Sequence, residues 1–387
     1  MPVRYRIPLF LFAVVALVSG LWGGLGRLPG LADLTGGAAL PPPTAAGFHG
    51  PLMAAAFFGT VISLERAVAL DRPWAYLAPA LCGLGGVALL AGAAPGAAGG
   101  LLALGLAVLV LASAVVWRRQ PALHNAILLL AALLGALACL GFALGAPLRA
   151  GVPGWSAFLV LTIAGERLEL SRLLPPSPLA RRGVAVAALV AAGAVLAGVL
   201  GALGGLGGGE DLWSNRAARG AALAYLALAG LLVKRDVAWK SARLPGLPRY
   251  IAVCLLSGYL WLAAGALMLL AWGLPGVGPH YDAALHALFV GYVLAMVFGH
   301  APIVLPSVAG VPFPYRPALY LPLAVLHGSL ALRLLGDMAG DMAGEPGWRL
   351  AGGMGNGAAV LLFALTAIAA VRAGRRERRG RRPAERG

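Results

Sequence analysis

Twelve apolar runs, each long enough to cross a lipid bilayer as a helix, dominate this chain of 387 residues. A helix needs about 20 apolar residues to cross the hydrocarbon core. Because a backbone exposed to lipid must satisfy its own hydrogen bonds, such runs form helices rather than open strands. The sequence therefore predicts an all-α, polytopic membrane protein. The predicted spans are 7–26, 48–70, 74–94, 98–117, 122–145, 154–172, 183–205, 217–233, 250–273, 283–306, 318–335 and 350–372.

The composition supports this fold class and leaves no room for a soluble domain. Hydrophobic residues make up 60% of the chain and charged residues 11%, whereas a soluble domain carries about 25% charged residues. The three cysteines lie in separate apolar runs without C-x-x-C spacing, which predicts small buried side chains rather than a thiolate metal site. We predict one twelve-helix domain over 1–372 and a basic cytoplasmic tail over 373–387.

The basic residues indicate the orientation of the helices. A net charge of +16 could suggest a nucleic-acid partner, but most Lys and Arg residues lie in alternate short loops and in the tail. Since such loops stay in the cytoplasm, we predict a bacterial inner-membrane protein with both termini cytoplasmic, lipid as its partner and no nucleic acid. Tryptophans near the predicted outer helix ends, Trp155 among them, predict an interfacial belt.

Three of the six histidines lie in one stretch, 280–307, and we expect the chemistry to lie there. If this stretch is α-helical throughout, His286 and His300 are nearly four whole turns apart. They would then share one stripe of the helix and lie about 21 Å apart in depth. Because an imidazole inside a membrane is costly unless it faces the bundle interior and binds something, this segment predicts a ligand site.

His49 and His286 lie at matched depth, where the second and tenth spans begin. We expect these two helices to be antiparallel and their histidines to be the two axial ligands of one haem. Met53, one turn after His49, is a further candidate ligand on the same helical face. The alternative for each histidine is an interfacial side chain bonded to headgroups or to a loop.

His300 and His327 are candidates for a second metal or haem. His300 lies on the cytoplasmic side with His124, where imidazoles could bind haem or copper. Alternatively, His300 satisfies a backbone carbonyl freed by Pro302 or Pro306. His327 lies near the middle of the eleventh span, where a purely structural role is hardest to explain.

Two Glu-Arg pairs end the second and sixth spans at the cytoplasmic side. They are Glu65-Arg66 and Glu166-Arg167, with Glu169 close to the second pair. They could be ion-paired braces or the start of a proton path, and the adjacent arginines favour braces. The pairs are four helices apart, so a third member of this weak repeat would fall on the tenth helix.

A resemblance to a known family appears in the histidine segments. His286-Ala-Leu-Phe-Val-Gly-Tyr-Val-Leu-Ala-Met followed by Gly299-His300 resembles the histidine helix of the NnrS family, and His49 with Met53 is similar to its early histidine–methionine helix. Arg333 also fits the pattern, whereas Gly47 stands where the family has a second histidine. The resemblance implies a twelve-helix bacterial membrane protein associated with haem, copper and the nitric oxide response.

The motif His49-Gly-Pro-Leu-Met53 also resembles the second-helix His-Gly-x-x-Met of the catalytic subunit of haem–copper oxidases. In those twelve-helix proteins the second and tenth helices supply the outer haem ligands. No histidine lies between 124 and 280, so the copper-ligating histidines of that family are missing. The resemblance implies a haem-binding bundle of this architecture rather than an oxygen-reducing oxidase.

Taken together, these patterns predict a haem-binding membrane protein, with copper as an additional metal. It would act in electron transfer or in the response to nitric oxide or another small gas, and a redox protein or a quinone would be its partner. The alternative from another class is a secondary transporter that uses the buried histidines and Glu-Arg pairs. A scaffold for a partner enzyme is the third reading.

Overall fold

The computed structural model describes residues 2–38, 40–170, 177–204, 209–343 and 347–381, and within them every regular element is a helix. Twelve of the helices are long and apolar enough to cross a membrane, which confirms the predicted fold class and indicates a multi-pass membrane protein. They are α1 (Val3–Leu25), α2 (His49–Leu70), α3 (Pro73–Leu90), α4 (Pro95–Arg119), α5 (Leu123–Ala143), α6 (Leu148–Leu170), α7 (Pro178–Ala202), α8 (Asp211–Arg235), α9 (Leu247–Trp272), α10 (Pro279–Ala309), α11 (Pro317–Ala339) and α12 (Gly347–Glu377).

Short helices lie between some spans, and the last two helices continue past their apolar windows. The connecting helices are Leu31–Thr35, Pro43–Gly47 and Ala238–Ser241. The helix that includes α11 ends at Ala343, and the one that includes α12 ends at Arg381. The predicted basic tail therefore begins as a continuation of the last helix.

Two of the spans contain a π-helical segment close to a histidine: it begins three residues after His49 in α2 and directly after His286 in α10. In α2 it covers Leu52–Phe57, and in α10 it covers Ala287–Leu294. Such segments are rare and occur often at functional sites. The prediction that His286 and His300 share a stripe assumed α-helical geometry throughout, so the angular argument does not hold across this segment.

Helix α6 lies at the centre of the bundle. Every residue from Ala150 to Gly165 is buried, as expected for a helix that is apolar on all sides. Contacts join α6 to the π-helical segments of α2 and α10, and the later halves of α2 and α10 also contact each other. These three helices, four apart in the chain, therefore pack together and position the polar side chains described below.

Helices α2 and α10 run in the same direction, so the prediction that they are antiparallel is wrong. Successive spans joined by short connections alternate in direction, and both helices are even-numbered. Their first turns line one cavity, and their later halves meet at the opposite end. We call the end where even-numbered helices begin the His49 face, and the end where they finish the Glu65 face.

Candidate functional site

A cavity of about 550 Å³ opens at the His49 face, and both predicted haem ligands line it. His49 enters from the first turn of α2 and His286 from α10. The size is within the range of small-molecule and cofactor sites, roughly 300–1,000 Å³. Its walls are largely apolar and include Leu21, Met53, Phe58, Trp155, Phe289 and Val360.

The two histidines are held in the same way. Nδ1 of His49 lies 2.6 Å from the carbonyl oxygen of Gly20, and Nδ1 of His286 lies 2.8 Å from that of Asp282. Because a carbonyl only accepts, Nδ1 carries the proton, and Nε2 of a neutral ring keeps its lone pair. Metal-binding histidines are oriented by such a bond from their other nitrogen.

The imidazole of His49 packs directly on α1. A Cβ atom on Gly24 would lie 2.7 Å from Cε1 of His49, so only glycine leaves room for the ring. The sulfur of Met53 is packed in a similar way, 2.7 Å from the place of a Cβ on Gly20. Met53 thus contributes to the cavity wall while its sulfur lies against α1.

Charged side chains surround His286 on the cavity wall. Arg333 of α11 donates to both carboxylate oxygens of Asp282, over 2.7 and 2.8 Å. Arg349 lies 3.4 Å from Asp282 and 3.0 Å from Asp337. The residue whose carbonyl orients His286 is therefore itself held by an arginine.

Four arginines line this cavity, and we call them the arginine rim: Arg27, Arg149, Arg333 and Arg349. Arg149 also pairs with Asp211, where α8 begins. Only one aspartate, Asp282, lines the cavity with them. Three of these arginines pair with Asp211, Asp282 and Asp337. Arg27 forms no ion pair with another residue that the structure describes, so one cation beside the apolar walls is left for a ligand carboxylate.

Two other residues predicted at this face, His280 and Trp155, have environments that the sequence did not indicate. The ring of His280 stacks on Trp272 at 4.2 Å between centroids, and it does not line the cavity. Trp155 is 2% exposed, and its indole donates to Sγ of Cys139 over 3.3 Å. Its assignment to the interfacial belt is wrong, because it is buried in the cavity wall.

The predicted polar residues at the Glu65 face come together in part. The charges of Glu65, Arg66, Glu166 and His300 are close enough to interact, so the three helices of the weak repeat converge here. Nδ1 of His300 lies 2.7 Å from the carbonyl of Met296. Pro302 instead frees the carbonyl four residues before it, so His300 does not play the carbonyl-satisfying role that we considered.

The ion pair in this region joins residues that the sequence did not suggest as partners. Arg167 donates to Asp236 over 3.0 and 3.3 Å, and both side chains are buried. Tyr259 donates to the same carboxylate over 2.5 Å, and the N–H of Ala238 donates over 2.7 Å. The predicted brace between Arg167 and Glu166 is thus replaced by one between Arg167 and Asp236. Asp236 is the only acidic residue in the link 234–249, and this was the available signal.

His327 uses both of its ring nitrogens in hydrogen bonds. Nδ1 accepts from the indole of Trp261 over 2.9 Å, because an indole nitrogen only donates. Nε2 therefore carries the proton and donates to Oγ of Ser257, also over 2.9 Å. No lone pair is left for a metal in this arrangement, contrary to the predicted ligand role.

A multi-ligand metal centre does not appear in the described part of the chain. Within it, no three His, Cys, Asp or Glu side chains lie close enough together to hold a metal ion. His124 lines a second cavity at the Glu65 face, and His300 is not among the residues that line that cavity. The predicted pairing of these two histidines is therefore not seen in one cavity.

Comparison with known families found a match over nearly the whole chain. A family model described as Domain of unknown function (DUF8744) matches residues 6–372. The matched region covers α2 to α11 completely and most of α1 and α12. No curated protein matches the chain.

Proposed function

We propose that this chain, which belongs to the family described as Domain of unknown function (DUF8744), is a haem-binding protein of the membrane. His49 and His286 would hold the haem iron. The observation that supports the proposal best is that both side chains line one cavity, each with Nδ1 bound to a carbonyl and Nε2 available. Two helices that begin at the same face supply them.

The cavity also fits the rest of a haem group. Its apolar walls suit the flat macrocycle, and Arg27 on the rim suits one of the two carboxylates that haem carries. A haem held by two histidines supplies one-electron redox chemistry. His49 and His286 would hold the iron, and Arg333 would keep Asp282 and hence His286 in place.

We place the protein in electron transfer or in the response to nitric oxide or another small gas. This assignment follows from the resemblance to the NnrS family and to the bundle of haem–copper oxidases, in which the second and tenth helices also supply haem ligands. A redox protein or a quinone is the partner that electron transfer requires. His300, whose Nε2 is not used in a described hydrogen bond, is the residue left for copper or a second haem.

A visible absorption spectrum tests the haem proposal directly. Protein made with ample haem should show the sharp α and β bands of low-spin iron after reduction, because two nitrogen ligands leave no open position. A colourless protein from the same preparation would rule out the haem proposal.

A secondary transporter is the second candidate, and the Glu65 face favours it. Glu65, Glu166 and His300 are ionisable groups inside the bundle, and such groups mark proton and substrate paths in transporters. A colourless protein whose transport activity in vesicles is lost in Glu65→Gln would support this candidate.

We further propose that the protein lies in the bacterial inner membrane with both termini cytoplasmic. The Glu65 face, with its basic loops, is then the cytoplasmic one. A periplasmic reporter fused after Gly340 and a cytoplasmic reporter fused after Gly246 should both be active. Swapped activities would reverse the orientation.

A further inference from the structure

A second cavity, of about 720 Å³, lies at the Glu65 face and is not used by either candidate function. It is enclosed by the ends of four helices, α5, α6, α7 and α8. Its walls include Leu123, Ala164, Leu168, Val184, Leu231 and Leu232. An apolar cleft of this kind, between helix ends, suits the part of a lipid molecule where the acyl chains join the headgroup.

The charge at this cleft is strongly positive. On its floor, Arg167 and Asp236 pair with each other, so their charges cancel. Four further basic residues line the rim and are exposed: Arg181, Lys234, Arg235 and Lys240. None of these four is ion-paired to another residue that the structure describes. The cleft therefore presents uncompensated positive charge to any ligand.

An exposed tryptophan at the cleft indicates the depth of lipid headgroups. Trp239 lines it, is 53% exposed, and donates its indole N–H to the carbonyl of Val233. Exposed tryptophans are enriched where membrane meets water. From the same end, α7 carries exposed apolar residues on its outer surface, Leu179 and Val186 among them. Lipid chains can therefore continue from the cleft along α7.

We propose that this cleft binds the headgroup of an anionic phospholipid. The phosphate lies among Arg181, Lys234, Arg235 and Lys240, and the acyl chains follow the apolar walls and the outer surface of α7. Basic pockets between membrane helices recognise anionic headgroups through this combination of charge and apolar surface. The site is independent of haem and would also be present in a transporter.

Native mass spectrometry of the detergent-purified full chain tests the site. Wild type should retain cardiolipin or phosphatidylglycerol in preference to phosphatidylcholine. The double variant Lys234→Gln/Arg235→Gln should bind the anionic lipid about tenfold more weakly, since two headgroup contacts are lost. The matched control is Arg375→Gln/Arg376→Gln, which removes two exposed charges near the end of the last helix, at the same face, and no residue of that helix lines the cleft. It should bind like wild type.

Three results would overturn the proposal: equal retention of phosphatidylcholine, equal weakening in the control variant, or full competition by inorganic phosphate at millimolar concentration. The last result would identify a soluble phosphate site instead of a lipid site. If the double variant is not monodisperse, the single variant Lys240→Gln and the lipid preference of wild type decide between the outcomes.

Discussion

At each end of the bundle an arginine donates two hydrogen bonds to an aspartate, but the two pairs differ in what else the aspartate contacts. At the Glu65 face, Asp236 accepts from Arg167, from Tyr259 and from a backbone N–H, so its carboxylate is fully engaged. At the His49 face, the carboxylate of Asp282 is held by Arg333 while its carbonyl orients His286. One pair only joins helices, whereas the other also orients a side chain that faces a cavity.

The histidines repeat this contrast. His327 has a partner for each nitrogen and so belongs with the structural contacts. His49 and His286 each use one nitrogen and leave the other available. The second nitrogen of a histidine, rather than its depth in the membrane, therefore separates a candidate ligand from a structural residue.

Removing a ligand should have the largest effect. His286→Ala should abolish the low-spin haem spectrum or turn it high-spin, because one of two axial nitrogens is lost. His49→Ala should do the same. His280→Ala is the control and should keep the wild-type spectrum, since this ring stacks on Trp272 outside the cavity. Wild-type low-spin spectra in both single mutants would exclude these histidines as the haem ligands.

The buried pair at the Glu65 face should matter most for stability. Arg167→Met should lower the free energy of unfolding by about 3–5 kcal/mol, because Asp236 is left buried without its cation. Thermal unfolding in detergent measures this. The exposed pair of Arg316 and Glu377 is the control, and Arg316→Gln should cost about 0–1 kcal/mol. Equal losses would mean that the Arg167 pair is no more important than a surface contact.

Removing the arginine that holds Asp282 should lower the affinity for haem without abolishing binding. Arg333→Gln should reduce haem affinity about 10–100-fold, as is usual when a residue that orients a ligand is removed. Titration of the haem-free protein with haem gives the affinity, and Arg316→Gln again serves as the control. An unchanged affinity would show that the Arg333–Asp282 pair is as purely structural as the pair at the other face.

The smallest effect is expected at Glu166. Because Arg167 already pairs with Asp236, Glu166→Gln should lower the free energy of unfolding much less than Arg167→Met does, and it should leave the haem spectrum unchanged. Thermal unfolding and absorption spectra check both points. A large destabilisation would restore the predicted Glu166 brace, and lost turnover at unchanged stability would favour a proton path.

The sequence was sufficient to predict the number of spans and that His49 and His286 lie at the same end of the bundle, where they line one cavity. Length and hydropathy determine where a helix can cross the bilayer, and a residue's place in its span determines its depth. The prediction that His49 and His286 lie at the same depth needed only their positions within their spans. The relative direction of α2 and α10 also follows from the count of helices, because two even-numbered spans run in the same direction, and the antiparallel prediction was inconsistent with that count.

Other features depend on how helices are rotated and packed, and hydropathy contains little of that information. The partner of Arg167 proved to be Asp236, which lies 69 positions away in the sequence, rather than its neighbour Glu166. His327 appeared unusual in mid-membrane because Trp261 and Ser257 of another helix could not be placed beside it. The π-helical segment after His286 likewise depends on packing against α6 and α9.

The cavity at the His49 face combines parts of the chain that are made at very different times. His49 is near the beginning, whereas Arg349 and Val360 belong to the last helix. At roughly 5–20 residues per second, the ribosome needs on the order of 15–60 s to advance from position 49 to position 349. The wall supplied by α12 is missing throughout that interval. Under the haem proposal, cofactor loading is therefore a late event in biogenesis, and a nascent chain stalled before α12 should reach the membrane without a complete pocket.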